Sequence, residues 1–272
     1  MLVPTLPASP YAVTDDTFVI PTIAAAPDGT FICANSMVIR GAEPVIVDTG
    51  CSLVRDDWTE RAFSVVEPED VRWIVISHDD HDHIGNLDVV LERCPNATLV
   101  VNYLIVARLV GDVELPIDRM QWMNGGDSLT LPDRTLQFVC PPMFDSPATR
   151  AVFDTSTGVM WGVDAFATAM PGEVYEASDV PLAMLDEQFP LHNQWNTPWL
   201  QWVDKAQFDA HLEETEQLPI TAWASAHAPV YRGDQIADAF ARTRALAGTP
   251  MPPLPGQDVL ELLVAVLGTP AA

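Results

Sequence analysis

Short apolar runs alternate with amphipathic stretches through the first half of the chain. Thr17 to Ile23, Thr30 to Arg40 and Pro44 to Asp48 are dense in β-branched and aromatic residues and predict strands, whereas Asp57 to Val65 predicts a helix. Trp73, Ile74, Val75 and Ile76 form another β-rich run. Beyond it, Leu87, Val90, Leu91 and Cys94 recur at the i, i+3, i+4, i+7 spacing of one helix face, and Pro95 ends that helix. Thr98 to Asn102 then predicts a strand and Tyr103 to Val110 a helix. A second strand-rich block covers Thr135 to Cys140, Arg150 to Asp154 and Val159 to Asp164, with Thr157-Gly158 as a hairpin turn. Residues 204 to 216 and 234 to 247 predict helices, separated by the apolar strand Ile220 to Ser225. Strands in two blocks, each followed by helices, fit two sheets covered by helices on their outer faces.

Two segments break this pattern. Ala165 to Trp202 holds Trp195, Trp199 and Trp202 among prolines, shows little periodicity and is too long for a simple connector. It predicts either an irregular excursion packing its tryptophans on the core or a lid over a pocket. Near the end, Pro252-Pro253-Leu254-Pro255-Gly256 predicts a stiff spacer. After it Val259, Leu262, Leu263, Val266 and Leu267 make an apolar helical stripe, expected to dock on the body or on a second subunit. The domain reading is therefore 1–250 as one body and 251–272 as spacer and docking helix.

The 272 residues suffice for a large core, and 48% hydrophobic with 19% charged residues is ordinary for a globular protein. The 38 Asp plus Glu against 13 Lys plus Arg, with Lys205 the only lysine, make the surface field strongly negative. Polyanions are repelled, which argues against a nuclease, an RNA-processing enzyme or docking on an anionic membrane. No apolar run reaches membrane-spanning length, and the N-terminus lacks a basic region followed by an apolar one, so a soluble cytoplasmic protein is expected. Cys33, Cys51, Cys94 and Cys140 form no CxxC pair and read as reduced, packed thiols.

Chemistry concentrates in Ser77-His78-Asp79-Asp80-His81-Asp82-His83, where an apolar strand gives way to a helix. In an extended segment alternate residues point the same way, so His78, Asp80 and Asp82 are expected on one face, with His83 meeting them from another side. The plain alternative is a capping region, since carboxylates are favoured at a helix start. Capping needs one acid rather than alternating His and Asp, and a dinuclear metal site is the better reading.

At this junction HxDxDH resembles the metal motif of the metallo-β-lactamase superfamily, usually HxHxDH. Its carboxylate in place of the second His is similar to the flavodiiron and oxygen-binding diiron branch, which carries HxExDH. Further segments resemble that family in order: Asp48 in Val45-Ile46-Val47-Asp48-Thr49-Gly50, Asp145 in Pro142-Met143-Phe144-Asp145-Ser146-Pro147, Asp164 in Val163-Asp164-Ala165-Phe166, and His227 in Ser225-Ala226-His227-Ala228-Pro229. The similarity covers roughly the first 235 residues. It implies an αββα sandwich: two mixed sheets packed face to face with helices outside. It also implies one metal on His78, Asp80 and Asp145, another on Asp82, His83 and His227, and Asp164 between them. Position 145 departs from the family, which has His there. Asp48 is expected to orient a ligand, and His81 to be second to the ligands or exposed. His192, near the tryptophans, is expected as a satisfied surface histidine, with the pocket as the alternative, and His211 receives no role at the site.

Four carboxylates, Asp80, Asp82, Asp145 and Asp164, balance two divalent ions, and oxygen donors favour iron, or manganese, over the imidazole-rich sets typical of zinc. The resemblance thus implies two metal ions per chain, iron first, and a protein that binds or reduces dioxygen or nitric oxide. Relatives take electrons through a fused flavodoxin-like domain. No flavin phosphate loop is evident here and only a spacer and one helix follow residue 250, so electrons are expected in trans, from a flavoprotein or small redox protein. A homo-oligomer is expected. A metal-dependent hydrolase of a small ester, thioester, lactone or phosphoester is the alternative, and a degenerate metal-binding member without catalysis a third.

Overall fold

The computed structural model describes residues 5–26, 28–111 and 113–267. The chain opens with β1 (Thr5–Leu6), β2 (Tyr11–Ala12), β3 (Thr17–Ile20), β4 (Ile23–Ala25), β5 (Phe31–Cys33), β6 (Ser36–Ile39) and β7 (Val45–Val47). Then come α1 (Arg55–Val65), β8 (Trp73–Val75), α2 (His81–Ile84), α3 (Leu87–Arg93), β9 (Thr98–Val101), α4 (Tyr103–Leu109) and β10 (Met120–Trp122). The second half carries β11 (Ser128–Thr130), β12 (Thr135–Val139), β13 (Ala151–Asp154), β14 (Val159–Trp161), α5 (Leu182–Asn196), α6 (Lys205–Glu216), β15 (Ala222–Ser225), β16 (Ala228–Arg232), α7 (Asp234–Leu246) and α8 (Gln257–Leu267).

These strands form the expected two mixed sheets. The first runs β10-β9-β8-β7-β6-β3-β2, parallel from β7 to β10 and antiparallel elsewhere. The second runs β11 to β16 in order, with β14 and β15 its one parallel pair. A small antiparallel sheet, β1-β4-β5, lies apart.

Alternation along the central strands explains the layering. Val45, Val47, Val75 and Val100 join the core shared with the second sheet, while Ile46, Ile74, Leu99 and Val101 face α1, α3 and α4 through Trp58, Leu87, Val90, Leu91 and Ile105. Both faces are buried, so these strands read as continuous apolar runs. Fully burying one such side chain stabilises the fold by about 1.5–3 kcal/mol. On the second sheet's outer side Phe189 of α5, Phe208 and Leu212 of α6 and Phe240 of α7 complete the sandwich.

Several expectations need correction. The strand expected over Thr17 to Ile23 breaks at Pro21, and the halves enter different sheets. Thr30 to Arg40 likewise breaks at Ala34–Asn35. The segment from Ala165 to Trp202 is not irregular throughout: α5 occupies fifteen of its residues and carries Pro190 inside. That proline reads as a breaker in sequence. Trp195 and Trp199 are half-buried, but Trp202 is 77% exposed and does not pack on the core. Strand β16 was hidden by Pro229, which a sheet tolerates on an edge strand.

Of the C-terminal stripe, Val259 is half-buried and Leu262 exposed, as are the neighbouring Leu260 and Val264. The side chains of Leu263, Val266 and Leu267 lie outside the described residues, as do residues 1–4 and 268–272. The four cysteines are unpaired, but only Cys33 and Cys94 are buried; Cys51 is half-buried and Cys140 exposed. Among the described residues no helix is long and apolar enough to cross a membrane.

Candidate metal centre

Loops at one edge of both sheets converge on the motif. Strand β8 ends at Val75, Asp80 still has extended backbone angles, and α2 begins at His81. Alternation therefore governs His78 and Asp80 only; Asp82 and His83 enter from a helical turn, which corrects the expected common face. Asp80 stands at the helix start yet its side chain caps no backbone N–H, so capping does not account for it.

All seven expected ligand residues come together, in three overlapping groups whose donor atoms lie within 4.8 Å of one another: His78, Asp80 and Asp145; Asp82, His83 and His227; and His78, His83 and Asp164. Asp164 lies across the first two. Its Oδ2 is 3.4 Å from His78 Nε2, and its Oδ1 is 3.1 Å from His83 Nε2 and 3.2 Å from His227 Nε2. Two donors on one ion at about 2.1 Å lie roughly 3.0–3.4 Å apart for angles from right to tetrahedral. His78 Nε2, His83 Nε2 and Asp164 Oδ1 are all buried and, apart from facing one another, hydrogen-bond to nothing. Buried polar atoms without partners are costly, and an ion is the partner that would satisfy all three.

Two of the three imidazoles, those of His83 and His227, are aimed from behind. His83 Nδ1 lies 2.8 Å from Asp48 Oδ2, and that carboxylate also accepts from Ser77 N at 2.8 Å, Ser77 Oγ at 2.6 Å and Trp161 Nε1 at 3.0 Å. Its first bond leaves Nε2 of His83 facing inward, as metal-binding imidazoles require. His227 Nδ1 is held by the backbone oxygen of Cys33 at 2.7 Å. Asn35 grips the same loop: its Nδ2 donates to Ser225 O at 3.0 Å and Ala228 O at 3.1 Å. Val163, before Asp164, accepts from Ala226 N at 2.7 Å and Ser225 Oγ at 2.9 Å.

Backbone strain collects here. Asp48, Val163 and Phe166 have φ of 60°, 57° and 69°, the non-glycine residues with positive φ among those described. Each costs about 1–3 kcal/mol and persists where surrounding contacts over-determine it.

Electrostatics tie the groups together. Burial disfavours charge on His83, but Asp48 and Asp164 outweigh it and hold its pKa well above the usual value. Burial opposes charge on the half-buried His227 too, yet Asp164 and Asp82 push its pKa up to about 9. Burial would raise Asp164, yet His78, His227 and His83 hold it well below the carboxylate range. Asp145 is raised, by burial and by the charge of Asp164.

Sequence reasoning missed several supports. Asn35, Ser77, Trp161 and the Cys33 carbonyl carry no metal-ligand signature, and only their contacts reveal them. His81 is exposed, one of the two placements expected for it. His192, expected at the surface, is half-buried on α5, where burial and the charge of His227 lower its pKa. His211 bonds Pro141 O at 2.9 Å and packs edge-on to Phe144, behind the Asp145 loop.

Known proteins bear on this geometry. The description "ODP family beta lactamase" matches residues 31–227. The chain is 31% identical over 133 residues to putative diflavin flavoprotein A 1 of Thermosynechococcus vestitus, a match covering 48% of this chain and 23% of that protein. It is 26% identical over 202 residues to the anaerobic nitric oxide reductase flavorubredoxin of Vibrio vulnificus, covering 73% and 40%. These matches thus span about a quarter to two fifths of the curated relatives. Among solved structures, the flavodiiron protein of Giardia intestinalis superposes with TM-score 0.72 at 18% identity, over 89% of this chain and 60% of that one. Rubredoxin oxygen:oxidoreductase of Desulfovibrio gigas gives TM-score 0.73 at 18% identity, over 87% and 61%. At such identity the superpositions speak for the fold.

Proposed function

Since this chain belongs to the ODP beta-lactamase family, we propose that it is a dinuclear non-haem metal protein, with iron as the metal, that binds or reduces dioxygen or nitric oxide using electrons from a redox partner. The observation that carries the reading is the set of buried, unpartnered donor atoms on His78, His83 and Asp164 at ion-sharing separations. His78, Asp80 and Asp145 would hold one ion, Asp82, His83 and His227 the other, and Asp164 both. Four carboxylates among seven donors favour iron over zinc. They also neutralise two divalent ions without further anions. When bound, a ferrous pair would supply electrons and open coordination positions for a diatomic ligand.

The chain's own residues do the rest. Asp48 and Cys33 O fix the tautomers of His83 and His227, and the strained backbone at Val163 presents Asp164 to both groups. Asp80 and Asp145 are exposed, so the edge they share is the open side, where a ligand or donor approaches. Phe144, next to Asp145, packs on Trp199 with ring centres 5.1 Å apart and planes tilted by 40°, and Trp199 Nε1 donates to Phe144 O at 2.7 Å. Relatives' printed names, a diflavin flavoprotein and a nitric oxide reductase flavorubredoxin, support the redox reading.

Metal analysis of protein purified without added metal tests it. About two irons per chain are expected, with an absorption band appearing when the reduced protein meets oxygen. Two zincs with ester turnover would reject it in favour of a hydrolase.

A further inference from the structure

Helix α4 is fastened at both ends to the loop that carries Asp145. At its start, Asn102 Oδ1 accepts from Leu104 N at 2.9 Å and Ile105 N at 3.1 Å, while its Nδ2 donates to Ala148 O at 2.5 Å. In its last turn, Arg108 Nη1 donates to Ser146 Oγ at 2.6 Å and to Asp79 Oδ1 at 3.0 Å. Ser146 follows Asp145, and Asp79 lies between His78 and Asp80. One guanidinium nitrogen therefore joins the two loops that bring Asp80 and Asp145 to His78.

Those loops have reason to separate. Asp80, Asp145 and the nearby Asp164 are like charges, and the first two are exposed, so water can take them apart at little cost. The other ligand group needs no such tie. His83 and His227 are held by Asp48, Cys33 O and Asn35, all of them inside the fold.

We propose that Arg108 is a positioning residue: by tying Asp79 to Ser146 it holds Asp80 and Asp145 close enough to serve the ion shared with His78. The proposal rests on the dinuclear reading above. As a mere surface ion pair, with side chains 44% and 12% exposed, Arg108 and Asp79 would add only ~0–1 kcal/mol to stability. Metal affinity at one position, and not folding, is therefore the quantity that separates the two roles.

The test uses the full chain stripped of metal and titrated anaerobically with Co2+, whose absorption follows each binding step, with bound metal counted separately. Wild type should take two ions, and Asp145→Ala identifies the step that depends on the Asp80–Asp145 edge. Arg108→Gln should weaken that same step by about 10–100-fold and leave the other step and the metal-free melting temperature essentially unchanged, the size typical for residues that orient ligands. Equal weakening of both steps, loss of the other step alone, or no change would each overturn the proposal. A wild-type chain that fails to bind two ions would instead defeat the dinuclear reading itself, which the wild-type titration shows alone.

Discussion

Asp164 is the residue on which two ions would depend, since its two oxygens face different imidazoles. Asp164→Ala is expected to lose both metals, as counted by elemental analysis, whereas Asp82→Ala should lose one; retention of two by Asp164→Ala would end the bridging assignment. Protonation is the second residue-scale lever. His227 titrates at about 9 without metal, and an ion binds only the deprotonated ring, so binding must expel a proton below that pH. Apparent Co2+ affinity should therefore climb with pH up to at least about 9, with proton release visible in a weakly buffered titration. Stability of the metal-free chain runs the other way. The raised pKa contributes stability that is fully present below the unfolded value of about 6.5 and is lost as pH rises through about 9. Thermal melts of stripped protein at the two ends of that window check the sign.

At the scale of elements, the site depends on connections more than on strands. The break between β5 and β6 places Cys33 O behind His227 and Asn35 across the β15–β16 turn, and Asn35 is buried with both its donor bonds spent there. Asn35→Ala leaves two buried carbonyls short of a donor, so it should cost about 1–3 kcal/mol in chemical denaturation and weaken the Asp82–His83–His227 step. An unchanged midpoint with unchanged metal affinity would show the clamp to be idle. This break was unreadable in advance, because Thr30 to Arg40 looks like one strand until packing sends its halves to different sheets. Helix α5 was hidden for another reason. Pro190 argues against helix, but burial of Leu185 and Phe189 and the bonds of Asn193 to Ala167 override that local cost.

Across the whole molecule, the candidate ligands come from both sheets: the motif after β8, Asp145 after β12, Asp164 after β14 and His227 between β15 and β16. Metal would cross-link the halves of the sandwich. At one hundred times the dissociation constant each bound ion adds about 2.7 kcal/mol, or roughly 5–10 °C for a chain of this size. Stripping with a chelator should lower the melting temperature by at least that much, and anaerobic Fe2+ should restore it; a chelator-insensitive melt would count against a metal centre. The net charge of −25 belongs to this scale as well, since it favours a cationic docking partner and makes such association slower as salt rises.

By itself the sequence determined the layered fold and the motif at the end of β8, because apolar periodicity and residue chemistry are local properties, while the order of the candidate ligand segments came from the family resemblance. It could not tell that Asp82 enters from a helix, that Trp202 stays in solvent, that Asn35 clamps the β15–β16 turn, or that Arg108 bonds both Asp79 and Ser146. Those depend on which distant backbone groups packing brings within hydrogen-bond reach. No periodicity encodes such distances, and only the closed sandwich decides them.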